Sequence, residues 1–306
     1  MRENYNNRMY ENCIICPRKC KVNRTNGGRG FCKMGDLPVV NLSMLHFGEE
    51  PIITGTNGSG TVFFEGCSLG CCFCQNFSVS RGQTGCGKTM TPDELSDEFL
   101  KLQNMGAHNI NLVTPGHFIP SISDSLKAAR DKGLTIPVAV NSGGYESVES
   151  LKLLDGLVDI YMPDLKFYSS KLSYELTKAP DYFEVACKAI EEMYRQTGPA
   201  LIGEDGLMKR GLIVRHLMLP GQLFDTKKVL DYLCSTYGNN IFISLMNQYT
   251  PFEYKYPSMN LPEFMRRKVP AGHYNAASDY LIALDQENAF FQDDASGDEL
   301  LPDFKN

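Results

Sequence analysis

TVFFEGCSLGCCFCQN, residues 61–76, runs from strand-forming residues straight into four of the chain's eleven cysteines. The β-branched and aromatic start reads as a buried strand. Cys67, Cys71 and Cys74 then follow at i, i+4 and i+7, a spacing that would line one face of a helix. A core of small apolar thiols is the plain alternative. Gly66 and Gly70 oppose a helix, and the segment leaves a strand where catalytic loops commonly sit. Three thiolates on one loop repel one another unless a cation joins them. Structural zinc takes four protein ligands, and catalytic zinc uses shells with fewer thiolates. Four-iron electron carriers use four cysteines, so three sulfurs would leave one iron open to a ligand. Cys72 has no ligand role in this reading.

The rhythm that starts at Thr61 continues along the chain. NINLVTP (109–115), IPVAVNS (136–142), LVDIYMPD (157–164), GLIVRHLMLPG (211–221) and NIFISLMNQY (240–249) read as further buried strands. Amphipathic helical segments lie between them. The first, residues 91–106, opens with Thr91 as N-cap, Pro92 at N1 and Glu94 at N3, and closes at Gly106. Others are expected at 121–133, 147–156, 181–198 and 225–238, with a last helix at 272–285 and a short strand at 288–293. About six β-α units imply an α/β fold, a parallel sheet in an incomplete barrel, since eight units need ~250 residues. The expected division is a cysteine-rich N-terminal segment (1–50), the partial barrel (51–293) and a mobile acidic tail (294–306). Chemistry should gather at the C-terminal strand ends. There stand Cys67, TPGH (114–117), NSGG (141–144), DLK (164–166), Arg215-His216 and NQYTP (247–251).

Composition narrows the class. A net charge of -6 over 306 residues argues against a non-specific nucleic-acid binder. No apolar run approaches the ~20 residues of a membrane span, and the polar start MRENYNNRMYENC does not resemble a signal peptide. A cytoplasmic protein is expected, with its thiols reduced and serving metals or catalysis.

Cys67-x3-Cys71-x2-Cys74, with Phe73 before the last cysteine, resembles the signature of the radical S-adenosylmethionine (radical SAM) enzymes. The words GTVFFEGCSLGCCFCQN, LVTPGHF, VNSGGYE, YMPDLKF, RHLMLPG and NQYTP are most similar to proteins grouped with the pyruvate formate-lyase activating enzymes. The resemblance spans residues 61 to 290. It implies a 4Fe-4S cluster on the three cysteines, whose open iron chelates S-adenosylmethionine. Reductive cleavage then yields a 5′-deoxyadenosyl radical that abstracts hydrogen from a substrate, with a flavodoxin or ferredoxin as electron donor. In the activating enzymes that substrate is a glycine of a partner glycyl radical enzyme.

Carried over residue by residue, the resemblance is uneven. Where activators have Gly-Gly-Glu after the second strand, this chain has Pro115-Gly116-His117, implying a backbone role for Gly116. His117 stays open between a ligand-facing group and a plain loop imidazole. Asn141 and Ser142 replace an Asp-Thr pair and can hydrogen-bond the cofactor without charge. Asp164-Leu165-Lys166 matches the activators' word, in which the lysine faces the methionine carboxylate and the acid approaches the substrate backbone. Arg215 is a second candidate for that carboxylate. His216 would point the other way on an ideal strand. Gln248-Tyr249 replaces a Tyr-His pair. Hydrogen abstraction from a small metabolite or another peptide, and a non-catalytic metal-binding scaffold, remain alternatives.

Upstream, Cys13-x2-Cys16-x3-Cys20-x11-Cys32 is a compact four-thiol set in a segment otherwise too polar to fold alone. Structural zinc is expected first, with an auxiliary iron–sulfur cluster as its rival.

Overall fold

The strand that leads into the thiol loop is buried at every residue, as its β-branched and aromatic side chains favour in a sheet covered on both faces. The structure is a computed structural model describing residues 8–292 except 83 and 257. The tail expected at 294–306 lies outside the described residues. Among these residues the strands are β1 (Val39–His46), β2 (Ser59–Phe64), β3 (Lys88–Thr89), β4 (Ile110–Val113), β5 (Val138–Ser142), β6 (Ile160–Pro163), β7 (Leu201–Ile202), β8 (Met208–Leu217), β9 (Phe242–Met246) and β10 (Ala289–Phe291). The helices are α1 (Pro51–Thr54), α2 (Phe77–Ser80), α3 (Pro92–Asn104), α4 (Ile119–Asp131), α5 (Val148–Leu151), α6 (Ser170–Thr177), α7 (Tyr182–Thr197), α8 (Leu223–Tyr237) and α9 (Ala271–Ala283).

Strand order across the sheet is β10-β9-β8-β6-β5-β4-β2-β1-β3, with β7 added to β8. From β2 to β10 every neighbouring pair is parallel. The two ends of the path do not meet. This is the incomplete α/β barrel expected from the sequence, and the six apolar runs are β2, β4, β5, β6, β8 and β9, with ends shifted by a few residues. Thr91 caps α3 as expected: its hydroxyl accepts from the Glu94 N–H, and the Glu94 carboxylate accepts in return from the Thr91 N–H. No helix of the described residues is long and apolar enough to cross a membrane.

Alternation along the strands sorts side chains onto two faces. Val138, Val140, Leu212, Val214, Ile243 and Leu245 pack outward against helix residues such as Phe99, Leu126, Ile190 and Leu230. Ala139, Ile160, Met162 and Ile213 point the other way, into the barrel, where they meet Ile53 of α1. The short helix α1 thus plugs the barrel interior, anchored by a side chain only 1% exposed.

The expected boundary at residue 50 cuts through this arrangement. β1 pairs antiparallel with β2 over residues 40–46 and also carries β3, so residues 39–46 belong to the sheet. The strand is mostly half-buried, and its weak alternation hides it from a search for buried runs. The preceding cysteine-rich segment packs closely on the barrel. Arg18 donates to the carbonyls of Ser68, Leu69, Thr177 and Lys178. Arg24, 1% exposed, donates to the carbonyls of His117 and Gly35.

Candidate active site

At the C-terminal strand ends lies a cavity of about 530 Å³, a size suited to a small-molecule ligand. Cys67, Cys71 and Cys74 all line it, whereas Cys72 turns away and its N–H donates to the Leu176 carbonyl at 2.9 Å. Gly66 (φ 81°) and Gly70 (φ 64°) give the loop its shape. A Cβ at Gly66 would lie 2.7 Å from the Cys32 carbonyl oxygen. Two backbone donors, Leu69 N–H at 3.4 Å and Gly70 N–H at 3.5 Å, point at the Cys67 sulfur. Burial raises the pKa values of Cys67 and Cys71, and the neighbouring thiols of the trio push them further the same way. Among the described residues no three His, Cys, Asp or Glu side chains already converge as metal ligands. Thiols that disfavour each other's ionisation on one cavity wall nonetheless suit a cationic centre, whose binding and ligand ordering proceed together. The donor set therefore fits an iron–sulfur cluster, which Cys67, Cys71 and Cys74 would hold. Beside them, on a residue that lines the cavity, the Asn76 carboxamide oxygen is buried with no hydrogen-bond partner among the described residues.

Asn141, Ser142, Asp164 and Lys166 line the same space. Lys166 forms an ion pair with Asp164. Burial alone would lower the Lys166 pKa, but Asp164 and Cys71 outweigh it and raise the value. The NSGG and DLK words interlock. The Tyr182 hydroxyl lies 2.9 Å from the carbonyl oxygens of both Gly143 and Asp164 and accepts from the Lys166 N–H. At Gly144 (φ 77°) a Cβ would fall 2.2 Å from the Asp164 carbonyl oxygen, so only glycine permits this contact. Ser142 donates to Glu146, whose carboxyl burial pushes up to about 7.

Three expected cofactor contacts are corrected. His117 does not line the cavity: it is 1% exposed, and its Nε2–H donates to the Glu65 carbonyl at 2.8 Å. Burial, aided by the charge of Arg24, pushes its pKa down to about 3. It is the plain loop imidazole of the two readings. Its neighbour Gly116 also lies off the cavity wall, and a Cβ there would meet the Glu146 carboxylate at 2.8 Å. Arg215 faces the cavity, but its guanidinium already holds two carboxylates, Glu49 and Glu50. His216 points to the other side of the strand, against the Leu165 carbonyl and the Thr226 hydroxyl. Gln248 lines the cavity, and Gln75 and Gln292 tie it in place, while Tyr249 is buried against the Met265 carbonyl.

Glu49 and Glu50 were not anticipated. Adjacent acids before a proline read most simply as a solvated turn. The available signal was their position directly before Pro51-Ile52-Ile53, whose last residue is buried. Glu146 was missed as well, although its hydrogen-bond partner Ser142 stands only four residues before it.

At the N-terminus, Cys13, Cys16 and Cys32 are buried and Cys20 is half-buried. Burial pushes the Cys16 pKa up to about 12, with Cys32, Cys13 and Cys20 adding to the rise. The four thiols therefore lie within one another's field. Arg24 Nη1 approaches the Cys13 sulfur at 3.8 Å.

Residues 61–233 match the radical SAM superfamily. The chain is 32% identical over 263 residues to the uncharacterized protein MJ0674 of Methanocaldococcus jannaschii, covering 82% of this chain and 70% of that one. Its fold is similar to that of Streptococcus suis SuiB bound to the precursor peptide SuiA, with a TM-score of 0.50 at 13% identity over 74% of this chain. The chain spans about half of SuiB, 47% of its length. Spore photoproduct lyase gives a TM-score of 0.48 at 11% identity, over 75% of this chain and 74% of that one. The superfamily match covers more than half of the chain and takes in the three-thiol loop, and it shows that the chain belongs to the radical SAM superfamily.

Proposed function

We propose that this chain is a hydrogen-abstracting enzyme that binds a 4Fe-4S cluster through Cys67, Cys71 and Cys74 and S-adenosylmethionine beside it. The observation that carries the reading is the common wall of three thiols and a cation, Lys166, on one cavity. When bound, the cluster supplies the electron that cleaves S-adenosylmethionine into methionine and a 5′-deoxyadenosyl radical. Lys166 holds the methionine carboxylate, and Asp164 keeps that ammonium charged and in place. Asn141 and Ser142 offer uncharged hydrogen bonds to the cofactor, and the Leu217 and Met246 side chains help to keep water from the reacting atoms. Glycine in a partner glycyl radical enzyme is our favoured substrate, because the Asp-Leu-Lys word is intact and the unclosed sheet leaves a side opening for a peptide loop. A flavodoxin or ferredoxin is the proposed donor, and a reducing, cytoplasmic setting suits the thiols.

Anaerobic reconstitution tests this. The wild type should carry four irons and form 5′-deoxyadenosine on reduction, and alanine at Cys67, Cys71 and Cys74 together should abolish both. Cleavage by the triple variant would overturn the assignment, and a bound metal without deoxyadenosine would leave a scaffold. A glycyl-radical doublet in electron paramagnetic resonance of mixtures with candidate partners supports activation. Deoxyadenosine formed only with a small molecule, with no protein radical, moves the substrate to that class. For Cys13, Cys16, Cys20 and Cys32 we propose zinc ahead of an auxiliary cluster. Metal analysis of the triple variant decides, since only this set then remains to bind iron or zinc.

A further inference from the structure

The turn before α1 delivers two carboxylates to the cavity, and they are not equally matched. Glu50 takes Arg215 side-on: Nε–H donates to Oε1 at 2.9 Å and Nη2–H to Oε2. Glu49 receives only the shared Nη2 and the Asn111 amide, Nδ2 to Oε1 at 2.8 Å. One guanidinium thus serves two carboxylates. The other charged pair of the cavity, Asp164 with Lys166, is balanced within itself. Three carboxylates against two cations leave one negative charge in surplus on the cavity wall, at Glu49. An enclosed charge without a counter-charge is unfavourable.

A second observation coincides with the first. Asn111 is fully buried, and after its amide has donated to Glu49 its carboxamide oxygen has no donor among the described residues. The same corner therefore combines unbalanced negative charge with an unfilled hydrogen-bond acceptor. A neutral donor answers only the second. A metal ion is disfavoured, because Arg215 already sits between the carboxylates and, among the described residues, no three ligands converge. A group that is positive and carries several N–H bonds answers both. The way in is aromatic: Phe47 (60% exposed) and Phe291 (41% exposed) line the cavity with Phe290, which stacks on Phe242 at 5.5 Å.

Resting on the radical SAM reading of this cavity, we propose that Glu49, supported by Asn111, is the specificity-determining residue for a lysine- or arginine-like side chain, an ammonium or guanidinium group on an apolar stem, carried by the substrate loop. The stem lies across Phe47 and Phe291, and the cation sits on the Glu49 carboxylate. Arg215 and Glu50 are positioning residues that hold Glu49.

Calorimetric titration of the reconstituted protein with n-pentylammonium chloride and with 1-pentanol, matched in length but neutral, tests the subsite. The wild type should prefer the amine by about tenfold or more, the range for a charged hydrogen bond. Glu49→Gln should erase the preference while S-adenosylmethionine affinity stays within about twofold. Lys166→Met should do the reverse. Glu49→Gln leaves Arg215 and Glu50 as a matched pair, so the fold should persist. If thermal unfolding shows otherwise, Glu49→Asp, which keeps the charge, must still prefer the amine. Equal binding of amine and alcohol by the wild type overturns the proposal. So does a Glu49→Gln variant that keeps the preference, or one that loses S-adenosylmethionine as strongly as the amine. Amine selectivity without any binding of S-adenosylmethionine would leave the subsite standing and remove the enzymatic reading instead.

Discussion

Replacing Arg215 with methionine should destabilise the protein rather than merely loosen a cofactor. The side chain is 10% exposed, and the guanidinium is held by Glu50 through two nitrogens and by Glu49 through one. Methionine fills much of the volume but leaves two enclosed carboxylates, each 8% exposed, with no cation between them. Removing one partner of a buried pair costs about 3–5 kcal/mol. At roughly 2 °C per kcal/mol for a chain of this size, the unfolding midpoint should fall by roughly 6–10 °C. The sign of the pH dependence follows from Glu50. Burial alone would raise its pKa, but Arg215 lowers it overall. In the wild type its contribution is present above the ordinary carboxylate pKa and is lost as pH falls through the lowered one. In the variant, Glu50 loses the counter-charge that lowered its pKa and resists ionisation. The deficit should therefore be largest near neutrality and shrink below pH ~4.5, where Glu50 takes up its proton. Differential scanning calorimetry from pH 4 to 8 measures this, and Arg215→Met combined with Glu50→Gln should recover part of the loss. A variant as stable as the wild type that binds S-adenosylmethionine poorly would refute this reasoning and return Arg215 to the cofactor.

Lys166→Met should weaken S-adenosylmethionine binding by about 1.5–3 kcal/mol in titration, and unchanged affinity would place the methionine carboxylate elsewhere. Gly144→Ala drives a methyl into the Asp164 carbonyl, 2.2 Å from the new Cβ, at a positive φ. It should reduce cofactor binding together with stability, and a neutral result would show that the NSGG and DLK words are not interlocked. His117 stays neutral in the fold because burial pushes its pKa down to about 3. The unfolded chain takes up a proton below pH ~6.5, so stability should fall by about 1.4 kcal/mol per pH unit from there towards pH 3. Urea unfolding of wild type and His117→Phe should show this slope only in the wild type. Parallel pH profiles would remove His117 as its source.

What was legible beforehand follows from range. The six buried strands, the capped helix at residue 91 and the three-thiol loop are each written in a dozen neighbouring residues. The Asp164–Lys166 pair falls within one word. Arg215 was readable as a buried cation needing an anion, but its partners lie 165 residues away in a turn that resembles solvent-facing chain. His117 was ambiguous because its surroundings, Arg24 and the Glu65 carbonyl, come from segments whose packing no local pattern announces. β1 was invisible because a half-covered strand shows neither an apolar run nor clean alternation.

Arg18 has a consequence for the order of assembly. Its guanidinium joins two carbonyls of the thiol loop, at Ser68 and Leu69, to two at the end of α6, at Thr177 and Lys178. It also lies 4.0 Å above the Phe31 ring, between the last two cysteines of the N-terminal set in sequence. A chain leaving the ribosome has Arg18 and the loop long before it has residue 178. The clasp can close only when more than half of the polypeptide has emerged. Completion of the thiol loop is thus a late event, coming once α6 has been made rather than while the first strand is being made.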